Sequence, residues 1–151
     1  GDWTPQTAQI VTPTWPTLRG AENIDAIVCA TDEGALAVVE TLKAENLNGT
    51  IKVTGFDGIP DAANAIAEDN MYGTVGANPY VEGGLGVAYL YACWNGELDV
   101  TSLPNGQRSF LTEPQMVTPA NVEEYLNSTP ELDFENYMSM IVEELDLTTY
   151  S

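Results

Sequence analysis

Apolar positions in this chain fall into short continuous runs that alternate with stripes at helical spacing. Residues 24–30, IDAIVCA, form a nearly unbroken apolar run, as expected of a strand buried on both faces. Asp32 then offers an N-cap, and residues 34–44 carry Leu36, Val39, Glu40 and Lys43 at helical spacing. Residues 46–49, NLNG, are turn chemistry. A second buried strand is predicted over 51–56, IKVTGF, ending at Asp57-Gly58. Pro60-Asp61 opens a helix through residue 69, with Ala62, Ala63, Ala65, Ile66 and Ala67 as its small apolar face. A third strand over 73–76 runs into Ala77-Asn78-Pro79, and a longer helix over 80–95 is closed by Gly96.

Strand, helix, strand, helix, strand, helix predicts an α/β fold: a parallel open sheet flanked by helices, with right-handed crossovers. Beyond Gly96 the character changes. Residues 98–108 are polar around Pro104-Asn105-Gly106 and predict a loop. Residues 110–117, FLTEPQMV, predict a last strand that Pro114 confines to an edge or a crossing position. Thr118 is the expected N-cap and Pro119 the first residue of a helix to 126. A final amphipathic helix is expected over 133–145, presenting Phe134, Tyr137, Met138, Ile141, Val142 and Leu145. Glu143, Glu144 and Asp146 oppose its dipole and predict fraying. Residues 5–18 have some helical spacing, but Pro13 and Pro16 interrupt it.

Charge removes several function classes. Four basic residues stand against 23 acidic ones, with no histidine, for a net charge of −19. Arg19, Lys43, Lys52 and Arg108 are too few and too scattered for the basic stripe that nucleic acid or an anionic membrane needs, so neither partner is expected. Without histidine there is no Ser-His-Asp triad and no His-ligated zinc. The acidic residues read as solvated surface, and no stretch has the alternating ligands of a calcium loop, so no metal is expected. Cys29 and Cys93 lie far apart in apolar runs and are expected to be buried free thiols. No apolar run approaches the roughly 18 residues of a membrane span. The start, Gly1-Asp2-Trp3-Thr4, lacks a Met and a basic leader, so an interior piece of a longer chain is expected.

In an open parallel sheet, ligands bind beyond the carboxyl ends of the strands. Those ends are Thr31-Asp32, Asp57-Gly58 and Ala77-Asn78. A carboxylate at Asp57 can accept hydrogen bonds from two vicinal hydroxyls while Gly58 admits a ligand to the backbone; it can equally cap the next helix or make an Asx turn. Asp32 fits the N-cap of its helix and Glu33 the complement of that helix's dipole. Asn78 can orient a ligand or build the turn before Pro79. Trp3, Trp15 and Trp94 can stack on a sugar face, although aromatics in apolar runs usually belong to a core. No phosphate-binding glycine loop or nucleophile elbow is present, no acid–nucleophile pair stands out, and no cofactor is expected. Gly83-Gly84-Leu85-Gly86 lies within a helix and predicts close packing.

Residues 23–37, NIDAIVCATDEGALA, resemble the D-A-I-x-x-x-N-D-x-x-A-L-G segment of type I periplasmic sugar-binding proteins of the ribose-binding-like group. IKVTGFDGIPD at 51–61 is similar to their V-x-G-F-D-G-x-P-D segment, and GTVGANP at 73–79 to the element that follows. VTPANV at 117–122 resembles their C-terminal V-T-x-x-N-V. The resemblance covers residues 20–122 and implies the C-terminal portion of a two-lobed, hinged protein that delivers a small solute, usually a sugar, to an ABC permease. It implies no enzymatic activity. By position, Asp57 would pair with sugar hydroxyls, with Thr31, Asp32, Ala77 and Asn78 beside it. Thr31 stands where many members have Asn and Ala77 where many have Gln, which removes amide hydrogen-bonding capacity; Asn78 can compensate.

The same resemblance implies that residues 1–127 belong to the fold and that the helix over 79–95 crosses to the other lobe; residues 128–151 lie beyond its coverage and are expected to be an acidic helical tail that docks on the lobe through Phe134, Tyr137 and Ile141 or contacts a partner. The N-terminal lobe would then be missing, an apolar helix face would be exposed, and self-association through it is an expectation. The parent protein would be extracytoplasmic, as a periplasmic protein or a surface lipoprotein. Two other functions compete. The effector-binding core of a lac-repressor-type regulator shares the fold and the D-A-I and F-D motifs. An α/β enzyme using Asp57 with Asp32 has no nucleophile or base to support it.

Overall fold

A helix begins readily where proline follows a hydroxyl-bearing residue, because proline has no N–H to leave unpaired and the hydroxyl caps those behind it. Helix α1, Pro5–Val11, starts in this way: Thr4 Oγ1 accepts from the Thr7 N–H at 3.3 Å, and the helix stops before Pro13. The computed structural model describes residues 4–15, 20–77, 79–104, 113–128, 135, 137 and 138. After a 3-10 turn at Ala21–Asn23 come β1 (Ala26–Val28), α2 (Asp32–Ala44), β2 (Lys52–Asp57), α3 (Pro60–Ala67), β3 (Gly73–Gly76), α4 (Pro79–Asn95), β4 (Gln115–Val117) and α5 (Val122–Asn127). They divide between two units, residues 1–77 with 114–129 and residues 78–113 with 130–151.

In the first unit the sheet order is β1-β2-β3-β4. The first three strands are parallel, with Val28 beside Thr54 and Asp57 beside Gly76. β4 corrects the all-parallel expectation: it pairs antiparallel to β3, with Gln115 opposite Gly76. The reason is geometric. β4 enters the sheet at the carboxyl end of β3, with Gln115 beside Gly76, and from that end the strand runs back along β3. Pro114, which has no N–H to give a ladder, stands just ahead of the strand.

One face of this sheet makes the core. Ile27, Val53 and Val117 meet Val38, Val39 and Leu42 of α2, Ala62, Ala63 and Ile66 of α3, and Val122 of α5. The other face is open, and here the expectation of doubly buried strands fails. β1 alternates exposed, buried, exposed, and Val28, Phe56 and Met116 are 81%, 43% and 58% exposed. Their cross-strand register places them together. Two helix starts also differ from expectation. Thr31, not Asp32, caps α2, its hydroxyl accepting from the Gly34 N–H at 3.2 Å. Residues 118–121 form a turn in which Thr118 N–H donates to Asn121 Oδ1 at 2.8 Å, so α5 begins at Val122 rather than Pro119.

In the second unit, Leu85, Ala88 and Ala92 of α4 pack with Leu98 and Tyr137. Val87, Leu90, Tyr91 and Trp94 form an exposed stripe along α4. Gly96, at φ 77°, ends the helix as expected. Cys29 and Cys93 are free thiols, each half-buried rather than buried. The loop expected through 108, the strand from 110 and most of the helix over 133–145 fall outside the described residues; Glu135, Tyr137 and Met138 are helical. Among the described residues no helix is long and apolar enough to cross a membrane.

The glycine run in α4 yields a paired prediction. A Cβ at Gly84 would strike the Tyr137 ring, whereas one at Gly83 meets nothing. Gly83→Ala should stabilise by about 1 kcal/mol through helix propensity. Gly84→Ala should lose that gain and destabilise by about 1 kcal/mol or more from overpacking. Urea unfolding followed by circular dichroism checks both signs.

Candidate functional site

Segments of three successive strand–loop units meet at one carboxylate. Asp32, in the first turn of α2, is fully buried. Its Oδ2 accepts from the Gly58 N–H at 2.7 Å and the Ile59 N–H at 2.9 Å, and its Oδ1 accepts from the Thr74 hydroxyl at 2.6 Å. One side chain after β1 thereby ties together the loop after β2 and the middle of β3. Burial pushes the Asp32 carboxyl above its ordinary 3.8, against the opposing pull of the bonds from Thr74, Ile59 and Gly58. Gly55 makes room for it, since a Cβ there would collide with Asp32 Oδ1.

Asp57 ends β2 on the opposite side of that loop. Its φ of 121° lies where non-glycine residues rarely stand, a conformation that costs about 1–3 kcal/mol and persists only where surroundings impose it. The surroundings are specific. The Asp57 carbonyl accepts from the Ala77 N–H at 3.1 Å, and the Gly58 N–H of the same peptide donates to Asp32. The next peptide is also held at both ends: its N–H, from Ile59, goes to Asp32, and its carbonyl, of Gly58, accepts from the Tyr125 phenol at 2.7 Å. Burial first and the Asp32 charge second push the Tyr125 phenol up, so it remains a donor. The Asp57 carboxylate itself is half-exposed; its one internal bond is a long one, 3.4 Å, from the Asp32 N–H.

An open cleft of about 680 Å³ runs from this carboxylate across the uncovered sheet face. Thr31 and Asp57, with Cys29 and Ala30 beside them, line one end, and Val28, Phe56, Val75 and Met116, with the Thr54 hydroxyl among them, line the more apolar remainder. Burial first and the nearby Asp32 charge second push the Cys29 thiol up, so it stays protonated.

Of the five residues singled out in the sequence, Thr31 and Asp57 share the cleft. Asp32 is enclosed beneath it, with both carboxylate oxygens engaged by the protein. Ala77 is half-buried and contributes its backbone N–H to the Asp57 carbonyl. Asn78 lies outside the described residues. Thr54 and Phe56 were missed although strand alternation places them on the cleft face with Val28. Thr74 and Tyr125 had no local signal at all, because each acts through a partner 42 or 67 residues away.

A half-exposed carboxylate beside a glycine thus stands at the carboxyl end of a parallel strand, where open α/β sheets bind their ligands. Residues 1–98 match the model of the periplasmic binding protein domain, and the chain belongs to that family. It is 37% identical over 70 residues to the D-allose-binding periplasmic protein of Escherichia coli strain K12, covering 46% of this chain and 22% of that protein. It is 30% identical over 87 residues to the ribose import binding protein RbsB of Haemophilus influenzae, covering 58% and 29%. Both relatives are named as binding proteins, not as enzymes. Among solved structures, a twin-arginine translocation pathway signal protein from Burkholderia phytofirmans superposes with a TM-score of 0.81 at 29% identity, over 90% of this chain and 42% of that one. The aligned segments thus span between a fifth and a third of the curated relatives' length.

The anchoring carboxylate can be tested by two substitutions. Asp32→Ala leaves two backbone donors and a hydroxyl without an acceptor and should cost about 3 kcal/mol or more. Asp32→Asn keeps an acceptor for the two N–H groups and can donate to the Thr74 oxygen, so it should cost less. The two proteins should also differ in pH dependence. A carboxyl raised by folding holds its proton more tightly in the folded state, so its contribution is complete below 3.8 and is lost as pH rises through the raised value. Relative to Asp32→Asn, the wild type should lose stability across that interval in urea titrations at stepped pH.

Proposed function

We propose that this chain is part of the solute-binding component of an ABC importer, an exported protein that takes a sugar or a similar small polar solute. The observation that carries the proposal is the Asp57 carboxylate, turned half-exposed into the cleft at the end of β2 by a backbone clamped on both sides. A carboxylate offers two acceptor oxygens to adjacent hydroxyls, and charged hydrogen bonds of this kind are stronger than neutral ones. The D-allose and ribose named for the two relatives supply such hydroxyls. Thr31 adds a hydroxyl at the same end of the cleft, although that hydroxyl already caps α2. Ala77 supports the edge by donating its backbone N–H to the Asp57 carbonyl. Asp32 serves the site from beneath.

The cleft's apolar remainder does not suit a sugar. Val28, Phe56 and Met116 present side chains without hydrogen-bonding groups, and parallel sheets are ordinarily covered on both faces. In this reading that face is a packing surface for a further part of the same protein, of which the chain is a piece. The α4 stripe of Val87, Leu90, Tyr91 and Trp94 is likewise a surface for the second lobe, which α4 crosses to join. The binding site is completed by that lobe, which closes over the ligand by a hinge. The membrane partner is the permease of the importer.

The test is calorimetry on the full-length protein that carries this chain, with D-allose and D-ribose as probes. Asp57→Ala should weaken binding about 100-fold, the equivalent of about 3 kcal/mol for two charged hydrogen bonds. Unchanged affinity would remove Asp57 from the site. Thr31→Asn retains a good N-cap and restores an amide, so it should tighten aldose binding without loss of stability; no change would discard that role for Thr31. The 151-residue chain alone should bind either sugar weakly or not at all, and micromolar binding would show a site complete within it.

A further inference from the structure

Asp57 stands at φ 121° and Gly58 at φ 77°, so the segment presenting the proposed ligand carboxylate does not adopt its shape by local preference. Asp32 accounts for half of the restraint, because it takes the N–H groups of Gly58 and Ile59. An N–H bond alone lets a peptide plane tilt about it. The tilt is stopped at the other end of the Gly58–Ile59 peptide, where the Tyr125 phenol donates to the Gly58 carbonyl at 2.7 Å. Tyr125 belongs to α5, 67 residues further along the chain. Space is kept for it. A Cβ on Gly58 or on Gly76 would run into the Tyr125 ring, and Gly76 is the residue in register with Asp57 across β2 and β3.

We propose that Tyr125 is a positioning residue for ligand binding: its phenol fixes the peptide after Gly58 and thereby aims the Asp57 carboxylate into the cleft. The proposal rests on Asp57 being the ligand carboxylate. Tyr125 is not among the residues that line the cleft; it acts through the backbone that carries Asp57. The phenol's raised pKa keeps the donor proton in place across the neutral range. The arrangement also assigns a purpose to Gly58 and Gly76 beyond ligand access. They are the floor on which the tyrosine ring lies.

Tyr125→Phe removes the hydroxyl and keeps the ring, so packing is preserved. Two experiments use it. In the isotope-labelled 151-residue chain, the variant should shift or split the Asp57 carboxyl carbon resonance and the Gly58 and Ile59 amide resonances, with the melting temperature lowered by only a few degrees. An unchanged Asp57 resonance would overturn the proposal, whatever happens to stability. In the full-length protein, with D-allose and D-ribose as probes, Tyr125→Phe should weaken binding about tenfold. The same change should do nothing further in an Asp57→Asn background, because a residue acting through another is not additive with it. Equal losses in both backgrounds would show a merely structural tyrosine. If Asp57→Asn leaves affinity untouched, the Asp57 assignment fails on its own account. The resonance experiment needs no ligand, so it still decides whether the phenol orients that carboxylate.

Discussion

Everything at the carboxyl end of this sheet hangs from one buried negative charge. An ionised carboxylate without water must be met by donors, and Asp32 is met by two N–H groups from the loop after β2 and a hydroxyl from within β3. Because those donors sit on different segments, satisfying the charge and aligning the strand ends are the same event. Gly55 must lack a side chain for the carboxylate to fit, and the loop at 57–59 must turn its amides inward to reach it. The left-handed backbone of Asp57 and Gly58 follows from that demand. So does the separation of roles between two aspartates 25 residues apart, one sealed in and one turned out.

The cleft is chemically divided, and the division tells two uses apart. Its polar end carries the Asp57 carboxylate and the Thr31 hydroxyl, which also caps α2. Its larger part is bare sheet on which Val28, Phe56, Val75 and Met116 outnumber the Thr54 hydroxyl. A cavity of this size on an isolated sheet is therefore not a measure of the ligand.

Much of this was legible in the sequence, for identifiable reasons. β3 and the long helix after it were bounded correctly because glycine and proline punctuate both sides of them. The place of Asp57 at the end of β2 was legible because it stands between an apolar run and a glycine. The burial of β1 and β2 was misread because a continuous apolar run reports what a strand is built to meet, not what covers it in this chain; Val28 and Phe56 look like core and are exposed. The N-cap of α2 was displaced by one residue because Thr31 and Asp32 are both good caps, and only the buried donors decide which is free to act as one. β4 was recognised as an edge strand from Pro114, but its direction depends on where the chain re-enters, which no local pattern records. Tyr125 was invisible for the same reason, its partner being set by tertiary structure alone.

The first unit is discontinuous: the chain leaves it after Ala77, builds residues 78–113 elsewhere, and returns with β4 and α5. During synthesis the strand ends and Asp32 emerge early, whereas the tyrosine that completes the Asp57 loop comes late. Closing so long an excursion adds little entropy beyond that of a shorter one, so the return is thermodynamically cheap, but it is necessarily sequential. Maturation of the site is therefore gated by the C-terminal return of the chain. A nascent protein arrested before α5 would hold most of its sheet and an untrained carboxylate.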